Sequence, residues 1–225
     1  MNATDADVTA EPRPDRPRGE EFGGGPASGK DGGTTRGTLR TRARQRFART
    51  ARASDAFFAK EADAVSRTCW AMARRFHRGG RLLAFGRGPC ESDAYHVSVE
   101  FVHPVLVGKR ALPALCLERP FAGAIEGLAR AQDIALGITS RGEDPEVLEG
   151  LARARARELL TVGLAGGDGG RMGREEGLDH RFVVPDDDPT VVQEVQETLY
   201  HVLWELVHVF FDHTALLEAE EEVGS

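Results

Sequence analysis

Residues 81–102 read RLLAFGRGPCESDAYHVSVEFV, and the fold turns on how they divide. The opening RLLAFG (81–86) is an apolar run too short for a helix and closed by glycine, which predicts a buried strand. A glycine-rich turn follows, and from about 91 to 103 the sequence becomes helix-like. Working outward, Gly79-Gly80 stops an earlier amphipathic helix whose apolar residues (Phe57, Phe58, Ala62, Val65, Cys69, Ala73 and Phe76) recur at three- or four-residue steps. On the other side the alternation repeats. LPALCL (112–117), IALGIT (134–139), LTVGLAG (160–166) and HRFVVPD (180–186) read as strands, separated by helix-like stretches near 121–131, 145–158 and 189–213. Short buried strands alternating with helices predict a three-layer α/β/α domain over 55–215, with a five-stranded parallel sheet covered on both faces.

The flanks differ from this core. Residues 1–37 are rich in Gly, Pro, Asp, Arg and Thr and poor in large apolar side chains, so they are expected to be disordered. Residues 38–54 form a basic lead-in, and 216–225 an acidic tail. Between Arg36 and Arg52 there are seven arginines and no acid. Residues 1–54 carry 11 Lys+Arg against 7 Asp+Glu, leaving 18 against 29 in the rest of a chain of 225 residues and net charge −7. That arm (36–52) reads either as a solvated entry to the first helix or as a docking segment for an anionic or protein partner. Three scattered cysteines (Cys69, Cys90 and Cys116) do not make a disulfide framework and point to a reducing cytoplasm. No apolar run reaches the roughly 18 residues of a membrane span, and the N-terminus lacks a signal-peptide core. The negative net charge argues against general nucleic-acid binding.

In an open parallel sheet, ligands bind beyond the carboxyl ends of the strands. After the first strand, Arg87, Gly88 and Cys90 occupy a turn whose glycines admit a close ligand and whose helix N-terminus can hold an anion. The same turn can also be a strand-to-helix connection that binds nothing. After the third strand, Thr139, Ser140 and Arg141 offer two hydroxyls and a guanidinium to a phosphate, while Asp144-Pro145 fits an N-cap and first helical position. Cys90 has no evident base beside it, which argues against a nucleophile. Two polar pairs interrupt apolar helices. His96 and Glu100 lie four apart on one face, and Gln193 and His201 lie eight apart, about 80° around a helix. Such groups can bind a zinc-like cation, or can be satisfied surface groups. His208 has similar spacing and reads as a packing or surface histidine.

The stretch GRGPCESDAYHVSVEFV resembles the phosphoheptose isomerases of the sugar isomerase (SIS) superfamily, whose corresponding run is GNGGSxxDAxHFAxEL. The resemblance continues through ALPALCL, GITSRGEDPEVLEGLARAR, VGLAGGDGGRM and VVPDDDPTVVQEVQETLYHVLWELV, covering about residues 60–210. It implies the SIS fold and a homotetramer with sites at subunit contacts. It also implies Zn2+ held by His96, Glu100, Gln193 and His201, with Glu100 as principal base and His201 as its acid–base partner. The implied reaction interconverts sedoheptulose 7-phosphate and D-glycero-D-manno-heptose 7-phosphate. The sequence departs from the family at the phosphate end. Arg87 stands for Asn, Cys90 for Ser and Arg141 for a hydroxyl, and Glu143 and Asp144 replace Asn and Ser. The segment 118–133 is also shorter than its counterpart. These departures keep a second expectation open, a non-catalytic SIS module that binds a phosphosugar or a protein partner.

Overall fold

The computed structural model of the chain describes residues 32–104, 106–174 and 177–218. Residues up to Arg42 and residues from Ala43 onward form two separate units. The described part of the first is helical, and the second holds the sheet with its flanking helices. Most of the 1–37 tail and residues 219–225 lie outside the described residues.

The first helix, α1 (Gly32–His77), begins more than twenty residues before the apolar periodicity does. Its early turns contain few residues to bury, but Arg, Ala and Gln are strong helix formers, and propensity extends the helix where packing is sparse. The expected apolar face is present at Phe57, Val65, Cys69, Ala73 and Phe76, joined by Met72, whereas Ala62 is turned to solvent.

The sheet contains β1 (Leu82–Gly86), β2 (Ala114–Cys116), β3 (Ile134–Ile138), β4 (Leu160–Gly166) and β5 (His180–Val184), in the order β2-β1-β3-β4-β5 with every pair parallel. β1, β3 and β4 are buried at every residue, which explains their unbroken apolar runs. Alternation still sorts the side chains between faces. Leu82 and Ala84 of β1 join one core with α1, α2 (Pro89–Val102) and α6 (Pro189–Asp212), while Leu83 and Phe85 join the other. That second core is closed by α3 (Phe121–Leu128), α4 (Pro145–Ala156) and a short α5 (Gly170–Arg174) that the sequence pattern does not announce. A last turn, α7 (Ala215–Glu218), follows. Among the described residues, no helix is long and apolar enough to cross a membrane.

Local contacts anchor α4 and both ends of α6. Asp144 caps α4, accepting from the backbone N–H of Glu146 and Val147, with Pro145 next in line as the sequence anticipates. The basic run is partly consumed inside the domain. Arg49 donates to Asp186 and pairs with Asp188, and Arg46 donates to Glu194 and Thr190, so two of its arginines hold the loop before α6 and that helix's first turns. At the far end of α6, Lys109 pairs with Asp212 at 2.6 Å, and His208 is buried between the carbonyls of Trp204 and Arg110. His208 is therefore a packing residue, as its context suggests.

Candidate active site

The strand order reverses direction between β1 and β3, and the turns leaving those two strands converge there, as open α/β sheets require of a ligand site. α2 starts directly from the first turn, with Gly88 at its N-cap in a left-handed conformation (φ 62°) and no side chain capping the helix. α6 packs beside α2. Four-residue steps carry His96 and Glu100 along one stripe of α2, and Gln193, Glu197 and His201 along one stripe of α6.

The two stripes meet. Glu100 Oε1 lies 3.3 Å from His96 Nε2 and 3.9 Å from His201 Nε2, so one carboxylate stands between imidazoles from two helices. The His96 and His201 rings approach edge to face at 5.3 Å. Three further residues enter that spacing alone does not single out. Tyr200, fully buried, brings its hydroxyl to 2.9 Å from His96 Nδ1. Burial raises the Tyr200 phenol well above its ordinary range, and the neighbouring carboxylates Glu197, Asp93 and Glu100 raise it further, so it keeps its proton. Glu197 Oε1 lies 3.6 Å from the same imidazole nitrogen. Asp93, only 5% exposed, accepts from Gln193 Nε2 at 2.9 and 3.2 Å. Burial pushes the Asp93 carboxyl up; the Gln193 bond opposes that shift and Glu197 adds to it. With its amide nitrogen committed to Asp93, Gln193 is left with its carbonyl oxygen to offer elsewhere.

The donor set suits a divalent metal. Ligand atoms of His96, Glu197 and His201 lie within 4.8 Å of one another, and two imidazoles with carboxylates are a zinc-type set.

At the phosphate end, Arg87, Thr139 and Arg141 already have partners within the chain. Arg87 pairs with Asp144 at 3.5 Å and Glu146 at 3.6 Å, so acids of the second loop already occupy the guanidinium. Arg141 donates to the carbonyl of Asp187. Thr139 is buried, donating to the Leu164 carbonyl and accepting from Gly142 N–H, which makes it a brace of the turn. Cys90 and Ser140 line a cavity of about 150 Å3 together with Gln193 and Gln196. Burial lifts the Cys90 thiol to about 12, with Asp93 and Asp144 adding to the effect, so it is a neutral wall of that cavity.

No family model matches the chain. Curated relatives do. It is 35% identical over 185 residues to the phosphoheptose isomerase of Desulfovibrio desulfuricans, covering 74% of this chain and 87% of that protein. A phosphoheptose isomerase of Solidesulfovibrio magneticus is likewise 35% identical, covering 75% and 86%. Among solved structures, the phosphoheptose isomerase of Francisella tularensis superposes with a TM-score of 0.70 at 22% identity, covering 76% of this chain and 98% of that one. The Neisseria gonorrhoeae phosphoheptose isomerase gives 0.68 at 23%, covering 75% and 98%. The structural matches carry the fold and the sequence matches carry the family: nearly the full length of its relatives is represented here, and the chain belongs to the phosphoheptose isomerase family of SIS-fold isomerases.

Proposed function

We propose that the chain interconverts an aldose phosphate and its ketose, with sedoheptulose 7-phosphate and D-glycero-D-manno-heptose 7-phosphate as the first pair to test. The observation that carries this reading is Glu100, held between His96 of its own helix and His201 of α6. Moving a proton between C1 and C2 of an α-hydroxy carbonyl requires a base at carbon and an acid–base partner at oxygen. Glu100 would take the carbon proton and return it one carbon along. His201, on the facing helix, would exchange the proton between the two substrate oxygens. The cavity bounded by Cys90, Ser140 and Gln193 would seat the sugar next to them.

His96, Glu100, Gln193 and His201 would hold a divalent ion, zinc by the character of the donors. Such an ion supplies a Lewis acid that stabilises the enediolate charge. Asp93 would fix the Gln193 amide so that its carbonyl faces outward, and Tyr200 would fix the tilt of His96. For the phosphate, Ser140 and the uncapped amides at the start of α2 are available without rearrangement. Arg87 and Arg141 would have to leave Asp144, Glu146 and the Asp187 carbonyl to join them. A cytoplasmic homotetramer completes the reading, and light scattering on the purified chain checks that assembly.

The occupied arginines favour one alternative, an SIS module that binds a phosphosugar or a protein partner without turnover. Solvent-deuterium incorporation into ketose and aldose phosphates separates the two. The isomerase exchanges label, and Glu100→Gln lowers exchange by about 10²–10⁴-fold, the scale of a lost general base. Absence of exchange by the zinc-loaded wild type across the panel leaves the binding module.

A further inference from the structure

One carboxylate oxygen, Oε1 of Glu146, sits between two guanidinia that arrive from different turns. Arg119 Nη1 donates to it at 3.2 Å and lies 3.5 Å from the second oxygen of the same carboxylate, while Arg87 Nε lies 3.6 Å from Oε1. Arg87 directly follows β1, Arg119 stands three residues past the end of β2, and Glu146 is the second residue of α4. The three therefore meet at the carboxyl ends of the strands. Arg87 shares its turn with Cys90, and its pair with Asp144 ties that turn to the one carrying Ser140. The two acids on Arg87 differ in duty. Asp144 is fixed, because one of its oxygens caps α4 through the N–H groups of Glu146 and Val147. Glu146 carries its carboxylate outward to the guanidinia. The side chains of Arg119, Arg87 and Glu146 are 56%, 47% and 36% exposed, and ion pairs this open contribute little to stability, so the contact can open without harm to the fold.

We propose that Arg119, together with Arg87, clamps the phosphate of the substrate, and that Glu146 occupies the clamp as a carboxylate surrogate until a phosphate displaces it. The inference rests on the reading of a phosphorylated sugar as substrate and deepens it. An oxygen already held between two guanidinia marks where a phosphate oxygen would sit. A phosphate monoester carries a charge of about −1.5 to −2 at pH 7 and three acceptor oxygens, against a single charge and two oxygens on Glu146. Guanidinium forks also match phosphate in a bidentate manner. The residue after Arg87 is Gly88, the N-cap of α2, so an anion on Arg87 lies next to the uncapped start of that helix as well. An unphosphorylated sugar brings only hydroxyl groups, which do not displace a carboxylate from two cations. Glu146 thus makes the clamp selective: a neutral ligand leaves it shut. The same contact lowers affinity for the phosphorylated substrate, since both pairs must open before it binds.

The test is titration calorimetry on the full chain at fixed ionic strength, with sedoheptulose 7-phosphate, unphosphorylated sedoheptulose and inorganic phosphate as probes. It compares the wild type with Arg119→Ala, Glu146→Gln and the double variant, with circular dichroism confirming that each is folded. Arg119→Ala is expected to weaken the phosphorylated sugar by about tenfold, the scale of one hydrogen bond to a charged group, and to weaken the unphosphorylated sugar much less. Glu146→Gln is expected to tighten the phosphorylated sugar by about two- to fivefold, because two exposed pairs no longer have to open. In the Arg119→Ala background the same change should gain less, since only Arg87 remains to be freed. Unchanged affinity for the phosphorylated sugar in Arg119→Ala, or an equal loss for both sugars, overturns the clamp. Unchanged or weakened affinity in Glu146→Gln overturns the surrogate. If the wild type binds neither the phosphorylated sugar nor inorganic phosphate, the proposal falls. Solvent-deuterium exchange on the same samples reports separately on the isomerase reading, which stands if label is exchanged while the Arg119 and Glu146 variants bind as the wild type does.

Discussion

Replacing Asp93 with Asn should make the protein more stable and a poorer metal binder at the same time. Asp93 is almost fully enclosed, and its carboxyl sits above its ordinary value of 3.8, chiefly through burial, even though Gln193 donates to both of its oxygens. The folded protein thus holds that proton more tightly than the unfolded chain, so stability is lost as pH rises through the folded value. Asn has nearly the same shape and carries no charge, so it escapes that loss. The midpoint of urea unfolding should therefore rise at neutral pH. The gap from wild type should narrow as pH falls toward the ordinary carboxylate range, where Asp93 is protonated in both states. Function moves the other way. A hydrogen bond to a charged acceptor contributes about 1.5–3 kcal/mol and a neutral one about 0.5–1.5, so the Gln193 amide is loosened by about 1–1.5 kcal/mol. If the Gln193 carbonyl takes part in metal binding, zinc affinity should fall by roughly five- to tenfold. A chelator titration on the same samples reads it. A loss of stability at neutral pH would refute the view that Asp93 is held charged at the fold's expense, and unaltered zinc affinity would refute its role in orienting Gln193.

Other perturbations test other parts of the site and its frame. The Asp133 side chain is inaccessible to solvent and accepts from the backbone N–H of Arg81 and Arg130 and from the Arg81 guanidinium at 2.6 Å, tying the starts of β1 and β3. Asp133→Ala should cost about 3 kcal/mol, the low end for a broken buried pair because Arg81 keeps some water, read as a shift of the urea midpoint. Gly142 has φ 72°, and a Cβ there would fall on the carbonyl oxygen of Gly169, so Gly142→Ala should cost at least about 1–3 kcal/mol and weaken sugar-phosphate binding, measured by calorimetry. Arg87→Ala should leave stability within about 1 kcal/mol, since its pairs are exposed, while raising KM for the phosphorylated sugar with kcat preserved. Cys90, with its thiol lifted to about 12, should resist alkylation in the native protein at pH 8, as followed by mass spectrometry.

The sequence disclosed what is local or periodic. Unbroken apolar runs marked β1, β3 and β4, and Asp144-Pro145 announced the start of α4, because strand burial and helix capping leave their signature within a few residues. Pairings across more than a hundred residues were hidden. Arg49 reads as one basic residue among seven, and only the folded chain sets it against Asp186 and Asp188. Glu197 was obscured for another reason: an acid between Gln193 and His201 on an amphipathic helix looks like solvated polar surface until a second helix lies against that stripe. Arg87 and Arg141 illustrate the converse. Their residue type suits a phosphate, but composition does not reveal that Asp144, Glu146 and the Asp187 carbonyl reach them first.

The fastening of α6 has a mechanical consequence. The helix is a beam supported at both ends, by Arg46 and Arg49 at one and by Lys109 and the Arg110 carbonyl at the other, with Gln193 through His201 along its span. The Arg46 and Arg49 support is ionic throughout, so salt weakens it; at the other end salt also weakens the exposed Lys109–Asp212 pair, but the buried His208 bond is largely indifferent to salt and remains. Raising ionic strength should then release the helix from one end only, and a tilt of that kind displaces Gln193, nearest the freed support, more than His201. The spacing of Gln193 and His201 is in that sense adjustable from outside the pocket, through a basic helix more than a hundred residues upstream.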